Sequence, residues 1–173
     1  LYPQGRPEQP KELFVYLIWK YLCLCFDIPR PSSKEKAICD RFIEIANTLG
    51  LSHKVDSTGN LVIVAPPAKG FENKAHIVLQ GHVDMVCSKT PESNHNFDTD
   101  RINAYVTDDK LWIQADNTTL GADNGIGAAS ALAVLELTQT HPDLCPYGQI
   151  EGLFTIEEET TMRGALEIDP LLL

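Results

Sequence analysis

The sequence predicts an α/β fold built around a central sheet, and three observations carry that reading. Apolar runs of strand length, "NLVIVA" (60–65), "HIVLQ" (76–80) and "QIEGLFTI" (149–156), alternate with segments of helical pattern. "HIVLQ" and "QIEGLFTI" are apolar without alternation, which implies strands buried on both faces. Both end on titratable residues: His82 and Asp84 after one, Glu157-Glu158-Glu159 after the other. With 43% hydrophobic and 22% charged residues, the composition is that of a globular chain with a core, not of a disordered one.

Residues 1–9 are expected to be a leader outside the fold, because "LYPQG" looks like a protease-tag remnant; residues 10–173 form the folded part. "LFVYLIWKYLCLCF" (13–26) reads as a core helix. At roughly 14 residues, with Lys20 inside it, it is too short to cross a bilayer. "DIPRPSSKE" (27–35) punctuates the chain, and Ser32 or Ser33 is expected to cap the next helix. The apolar positions of that helix, Ile38, Phe42, Ile45 and Leu49, form one stripe, and Gly50 stops it. "NLVIVA" ends at Pro66-Pro67. "AYVTDDKLWIQA" (104–115) has the pattern of a hairpin turning at Asp108-Asp109, and the Ala- and Leu-rich stretch from Asp123 to about Leu137 is helical.

A formal net charge of −10 argues against nucleic acid or an anionic membrane as partner, since both require a basic face. Five cysteines (Cys23, Cys25, Cys39, Cys87, Cys145) form an odd set without CxxC spacing, which fits reduced thiols in a cytoplasmic protein. Cys23-x-Cys25 is read as core packing.

Three polar clusters fall at element ends. In an extended chain residues two apart face the same side, so His82 and Asp84 share one place, where the carboxylate can fix the imidazole tautomer. The bland alternative is a core histidine beside a capping Asp. The second cluster is "GADNGIG" (121–127), with Asp123 among glycines. A glycine-rich phosphate loop has a similar pattern, but Asp123 would oppose the phosphates and the preceding "LWIQADNTT" is too polar for a buried first strand. The third, Glu157-Glu158-Glu159, could be a solvated loop or could place a ligand beside a base. Together the clusters offer imidazole and carboxylate donors without thiolate, a set suited to zinc or manganese, and to a pair of ions if Asp123 bridges them.

"LQGHVDMV", "TTLGADNGIGAASALAVLE" and "LFTIEEETTMRGA" resemble, in order, the motifs of the aminoacylase/carboxypeptidase-type di-zinc metallopeptidases. "IPRPSSKE" and "DSTGNLVI" look like the aminoacyl-histidine (Xaa-His) dipeptidase branch of that family. The resemblance implies a three-layer zinc-peptidase-type catalytic domain, a central mixed sheet flanked by helices, that hydrolyses Xaa-His dipeptides through a water activated between two zinc ions, with manganese or cobalt as substitutes. Carried onto this sequence, it makes His82 a metal ligand oriented by Asp84, and Asp123 the bridge. Glu158 becomes the general base, Glu159 a ligand to the other ion, and Glu157 a neighbour without a role. It also implies a cis peptide bond at Asp123–Asn124 and is compatible with a homodimer. Further ligands and a lid domain of the family would follow Leu173. The chain is therefore expected to be the N-terminal portion of the catalytic domain, incomplete at its C-terminus and inactive alone. An N-acyl-amino-acid deacylase or carboxypeptidase of the same superfamily, or a non-catalytic binding module, are the alternatives.

Overall fold

The computed structural model describes residues 4–144 and 147–173. Residues 1–3 of the expected leader, and Cys145, lie outside the described residues. The elements run α1 (Pro10–Asp27), α2 (Lys36–Thr48), β1 (Ser52–Val55), β2 (Leu61–Ala65), β3 (Ile77–His82), β4 (Ala104–Val106), β5 (Ile113–Ala115), α3 (Ala122–Thr140), a 3-10 turn (Pro142–Leu144), β6 (Ile150–Thr155) and α4 (Arg163–Leu166).

Four strands form a mixed sheet in the order β1-β2-β6-β3. β6 is its centre: it runs antiparallel to β2 and parallel to β3, and all six of its residues are buried. β1 and β2 are joined by a turn in which the Asp56 carboxylate accepts the N–H groups of Thr58, Gly59 and Asn60 at 2.8–3.0 Å. Gly59 occupies a φ of 111°, which a side chain would resist. β4 and β5 pair separately as the expected hairpin.

Alternation of side chains along the strands divides the core. Leu61, Ile63 and Ala65 of β2, with Ile150 and Phe154 of β6, join the large cluster that also takes in α1, α2 and α3. Phe42 of α2 meets Phe154 edge-on at 4.9 Å. α3 lies on the sheet through its alanines, and α1 packs on α3. Val62 and Leu153 belong to a smaller cluster with Leu172, against which Ile168 packs. The expected mixed sheet with flanking helices is thus present. Cys23, Cys25 and Cys39 are buried thiols, as packing residues should be; Cys87 is exposed, and these four are free. Among the described residues no helix is long and apolar enough to cross a membrane.

Two local expectations fail. β3 is not buried on both faces: Ile77 and Val78 are 46% and 40% exposed, and only its last residues, Gly81 and His82, are buried. The strand borders the described sheet and pairs with β6 alone, so its apolar run reports strand propensity and not enclosure on two sides. Neither Ser32 nor Ser33 caps α2. The N-cap is Glu35, without a side-chain cap bond, and Ser33 sits at a φ of 67° in a turn. The Ser32 hydroxyl points elsewhere, to Asp84.

Candidate metal centre

β3 runs apolar until it passes beneath α3. At Gly81 a Cβ would come within 3.2 Å of the Ala128 backbone nitrogen, so a side chain there would fit only if strand and helix moved apart by a few tenths of an ångström. The chain then delivers His82 and Asp84 together, with Val83 between them in the core. His82 Nδ1 lies 3.2 Å from Asp84 Oδ1, and Nε2 lies 3.0 Å from Asp123 Oδ1. Glu158 Oε2 is 3.6 Å from the same Nε2.

The two aspartates differ in setting. Asp84 is fully buried, and besides His82 its carboxylate accepts the Ser32 hydroxyl at 2.7 Å and the N–H groups of Glu158 and Glu159 at 3.1 and 3.0 Å. Burial would raise its pKa, but the bonds from His82, Ser32 and the two amides outweigh that and hold it at about 2. The same contest decides His82. Burial pushes the imidazole down, while the hydrogen bonds to Asp84 and Asp123, aided by the charges of Asp84 and Glu158, lift it to about 9. Without a bound cation the ring is therefore a proton-holding imidazolium at neutral pH. Asp123, by contrast, leaves 85% of its side chain exposed.

Asp123 is aimed by the start of α3. Asp123 and Asn124 depart from helical φ/ψ, and the peptide between them is cis, the isomer the family resemblance implies. The glycines around them make room for side chains. At Gly121, with φ of 73°, a Cβ would meet the Arg30 guanidinium at 2.6 Å; at Gly127 it would strike the Asn124 amide oxygen, which instead accepts the Gly127 N–H at 2.9 Å.

After β6 the chain turns sharply at Glu157, φ 52°, whose carbonyl accepts the N–H of Met162 at 2.8 Å. The Glu157 carboxylate turns away from His82, towards Thr161 at 3.2 Å and Arg163 at 3.3 Å. Glu158 and Glu159 are left facing the histidine side. Desolvation raises the Glu159 pKa; the positive His82 opposes this, and the neighbouring Asp123, Glu158 and Asp84 add to it. Donor atoms of His82, Asp123 and Glu159 all lie within 4.8 Å of one another. Asp123, Glu158 and Glu159, gathered on one side of the imidazole, are a poor arrangement for isolated charges and a good one for a divalent cation, so the donor set fits the implied metal. His82, Asp123 and Glu158 border a cleft of about 420 Å³ that Gln80, Asn124 and Thr155 help to line.

No family model matches the chain. It is 39% identical over 148 residues to the cytosol non-specific dipeptidase of Escherichia coli (strain K12), covering 86% of this chain and 29% of that protein. The crystal structure of aminoacylhistidine dipeptidase from Vibrio alginolyticus superimposes with a TM-score of 0.79 at 40% identity, over 87% of this chain and 29% of that one. The chain is thus similar to a part of each of these two dipeptidases. It spans under a third of the length of these two relatives. A dinuclear metal-binding peptidase of the M20 family from Bacillus subtilis, 11% identical with a TM-score of 0.53 over 86% of this chain and 37% of that one, shares the fold.

Proposed function

We propose that this chain carries part of the catalytic centre of a metal-dependent dipeptidase acting on Xaa-His dipeptides in the cytoplasm. The observation that carries the reading is the convergence of His82, Asp123 and Glu159, with Glu158 beside them, at the end of β3 in a chain related to dipeptidases. His82 and Glu159 would each hold a zinc ion, with manganese or cobalt as substitutes, and the exposed Asp123 carboxylate would bridge the pair. When bound, such ions supply Lewis acidity and lower the pKa of water towards ~7. Asp84 keeps the His82 ring oriented through Nδ1. Glu158 accepts the proton of the attacking water and delivers it to the leaving amine.

Two measurements test this reading. Zinc titrated into the purified chain should bind with release of a proton, and His82→Ala and Asp123→Ala should each abolish uptake; uptake unchanged in both variants overturns the ligand assignment. In a chimera whose N-terminal segment is replaced by the corresponding residues of this chain, the Vibrio enzyme should still cleave Xaa-His dipeptides. Glu158→Gln in that chimera should remove turnover while metal content stays normal. Loss of metal together with turnover would make Glu158 a ligand and not the base.

A further inference from the structure

The segment Arg30–Glu35 lies outside the proposed ligand set, yet three of its side chains grip the strands and turns that bear the ligands. Arg30 is 2% exposed and makes no ion pair among the described residues. Its guanidinium donates to four backbone carbonyls: Cys25 at 3.2 Å, Val83 at 2.9 Å, Asp84 at 3.0 Å, and Gly121. One cation thereby ties the exit of β3, where His82 sits, to the residue that opens α3, two before Asp123. Gly121 and Gly125 leave the space it fills: a Cβ at either would lie 2.6 or 3.0 Å from its Nη2.

Ser32 and Glu35 do the corresponding work on the turn after β6. The Ser32 hydroxyl donates to Asp84 Oδ2 at 2.7 Å, the oxygen that also accepts the Glu159 N–H. Glu35, 4% exposed, uses one oxygen, Oε1, to accept the N–H of Ser33 at 2.9 Å and that of Glu157 at 3.0 Å. Each proposed ligand segment is thus held, within two residues, by a side chain of one short loop. Helical periodicity has no use for these residues, and a buried arginine or glutamate bonded only to backbone is costly unless every bond is made.

We propose that Arg30, Ser32 and Glu35 are positioning residues for the metal centre, Arg30 setting His82 against Asp123, and Ser32 and Glu35 setting the Glu158–Glu159 turn against both. The inference rests on the metal reading above and extends it to residues that touch neither ion nor substrate.

The test uses the purified chain with cobalt(II) as probe, read by its visible absorption, and the NMR signals of the His82 ring in the metal-free chain. Glu35→Leu, Ser32→Ala and Arg30→Lys should each weaken cobalt binding by ~10–100-fold, the range found when groups supporting metal ligands are lost. They should also change the cobalt spectrum and shift the His82 ring signals. Glu35→Gln retains an oxygen acceptor for both N–H groups and should restore near-normal binding and spectra. A folded Glu35→Leu chain that keeps the wild-type affinity and spectra overturns the proposal, as does a loss of thermal stability alone. Should Arg30→Lys fail to fold, the Glu35 pair decides. If the unsubstituted chain takes up no cobalt, the metal reading fails; the His82 ring signals of the variants then settle the positioning role by themselves.

Discussion

The two sides of the His82 ring are built on opposite plans. On the Nδ1 side, Asp84 is fully buried and accepts bonds from His82, one hydroxyl and two backbone amides. On the Nε2 side, Asp123 leaves 85% of its side chain exposed and, among the described residues, its carboxylate has only the imidazole, at 3.0 Å, as a hydrogen-bond partner. The same residue type serves one side as part of the fold and the other as an open valence. A carboxylate whose lone pairs are consumed by the protein orients a ligand. One left bare can receive an ion.

Substitutions on the two sides should therefore separate stability from metal binding. The largest effect is expected for Asp84→Asn, which turns an acceptor for four donors into a group that must itself donate, and removes the charge opposite a buried imidazolium. A loss of about 3–5 kcal/mol in urea unfolding is expected, in line with breaking a buried ion pair. A loss below 1 kcal/mol would show that Asp84 supports little.

Next in size is the pH dependence of His82. Its folded-state pKa of about 9 lies above the ordinary 6.5, so the protonated ring stabilises the metal-free fold fully below pH 6.5, and that stabilisation is lost as pH rises through 9. The stability difference between wild type and His82→Gln should fall by on the order of 2 kcal/mol between about pH 6 and pH 10. A difference constant with pH would mean that the ring has the same pKa folded and unfolded. For Asp84 the sign is reversed: its carboxylate stabilises above pH 3.8 and the benefit disappears as pH falls towards 2. Because a metal must displace the His82 proton, zinc affinity should climb with pH over the same range.

Ser32→Ala deletes one of the donors to Asp84 and should cost about 1 kcal/mol in chemical denaturation. Asp123→Asn should change stability by less than about 0.5 kcal/mol, as exposed substitutions do, while removing most of the zinc uptake measured by calorimetry. If Asp123→Asn destabilised the metal-free chain as much as Asp84→Asn, the contrast between the two sides would collapse.

Much of the candidate site was legible because His82, Glu158 and Glu159 lie where the apolar runs of two strands stop abruptly. "HIVLQ" ending at His82 and "GLFTI" ending at the glutamates announce both the elements and the point where polar groups begin. The register adds what the sequence could only imply: His82 lies opposite Thr155, so the two exits share one end of the sheet. The exposure of Ile77 and Val78 was not legible, since an apolar strand reads alike at a border and in a centre. β1, "SHKV", has too few apolar residues to signal a strand and exists through its pairing with β2. Ser32 and Arg30 escaped for a shared reason. A serine before a helix has a local use as a cap, and an arginine between prolines looks solvated, whereas their partners come from segments distant in sequence. Only a tertiary contact reveals them.

The parallel pairing that sets Ile77 beside Ile150 also governs when the centre can exist. Its donors stand on a strand exit, a helix start and a turn, each contributed by a different stretch of chain, and no local hairpin or helix brings two of these stretches together. Closing such long loops carries its entropic cost before any contact returns it, so the donors meet late in folding. An ion that recognises all three then has affinity for the native chain and little for the unfolded one. On the proposed metal reading, a free cation would be a thermodynamic weight on the native state, adding about 2.7 kcal/mol at a hundred times its dissociation constant. Metal supply would thereby set how long each molecule survives unfolding and proteolysis.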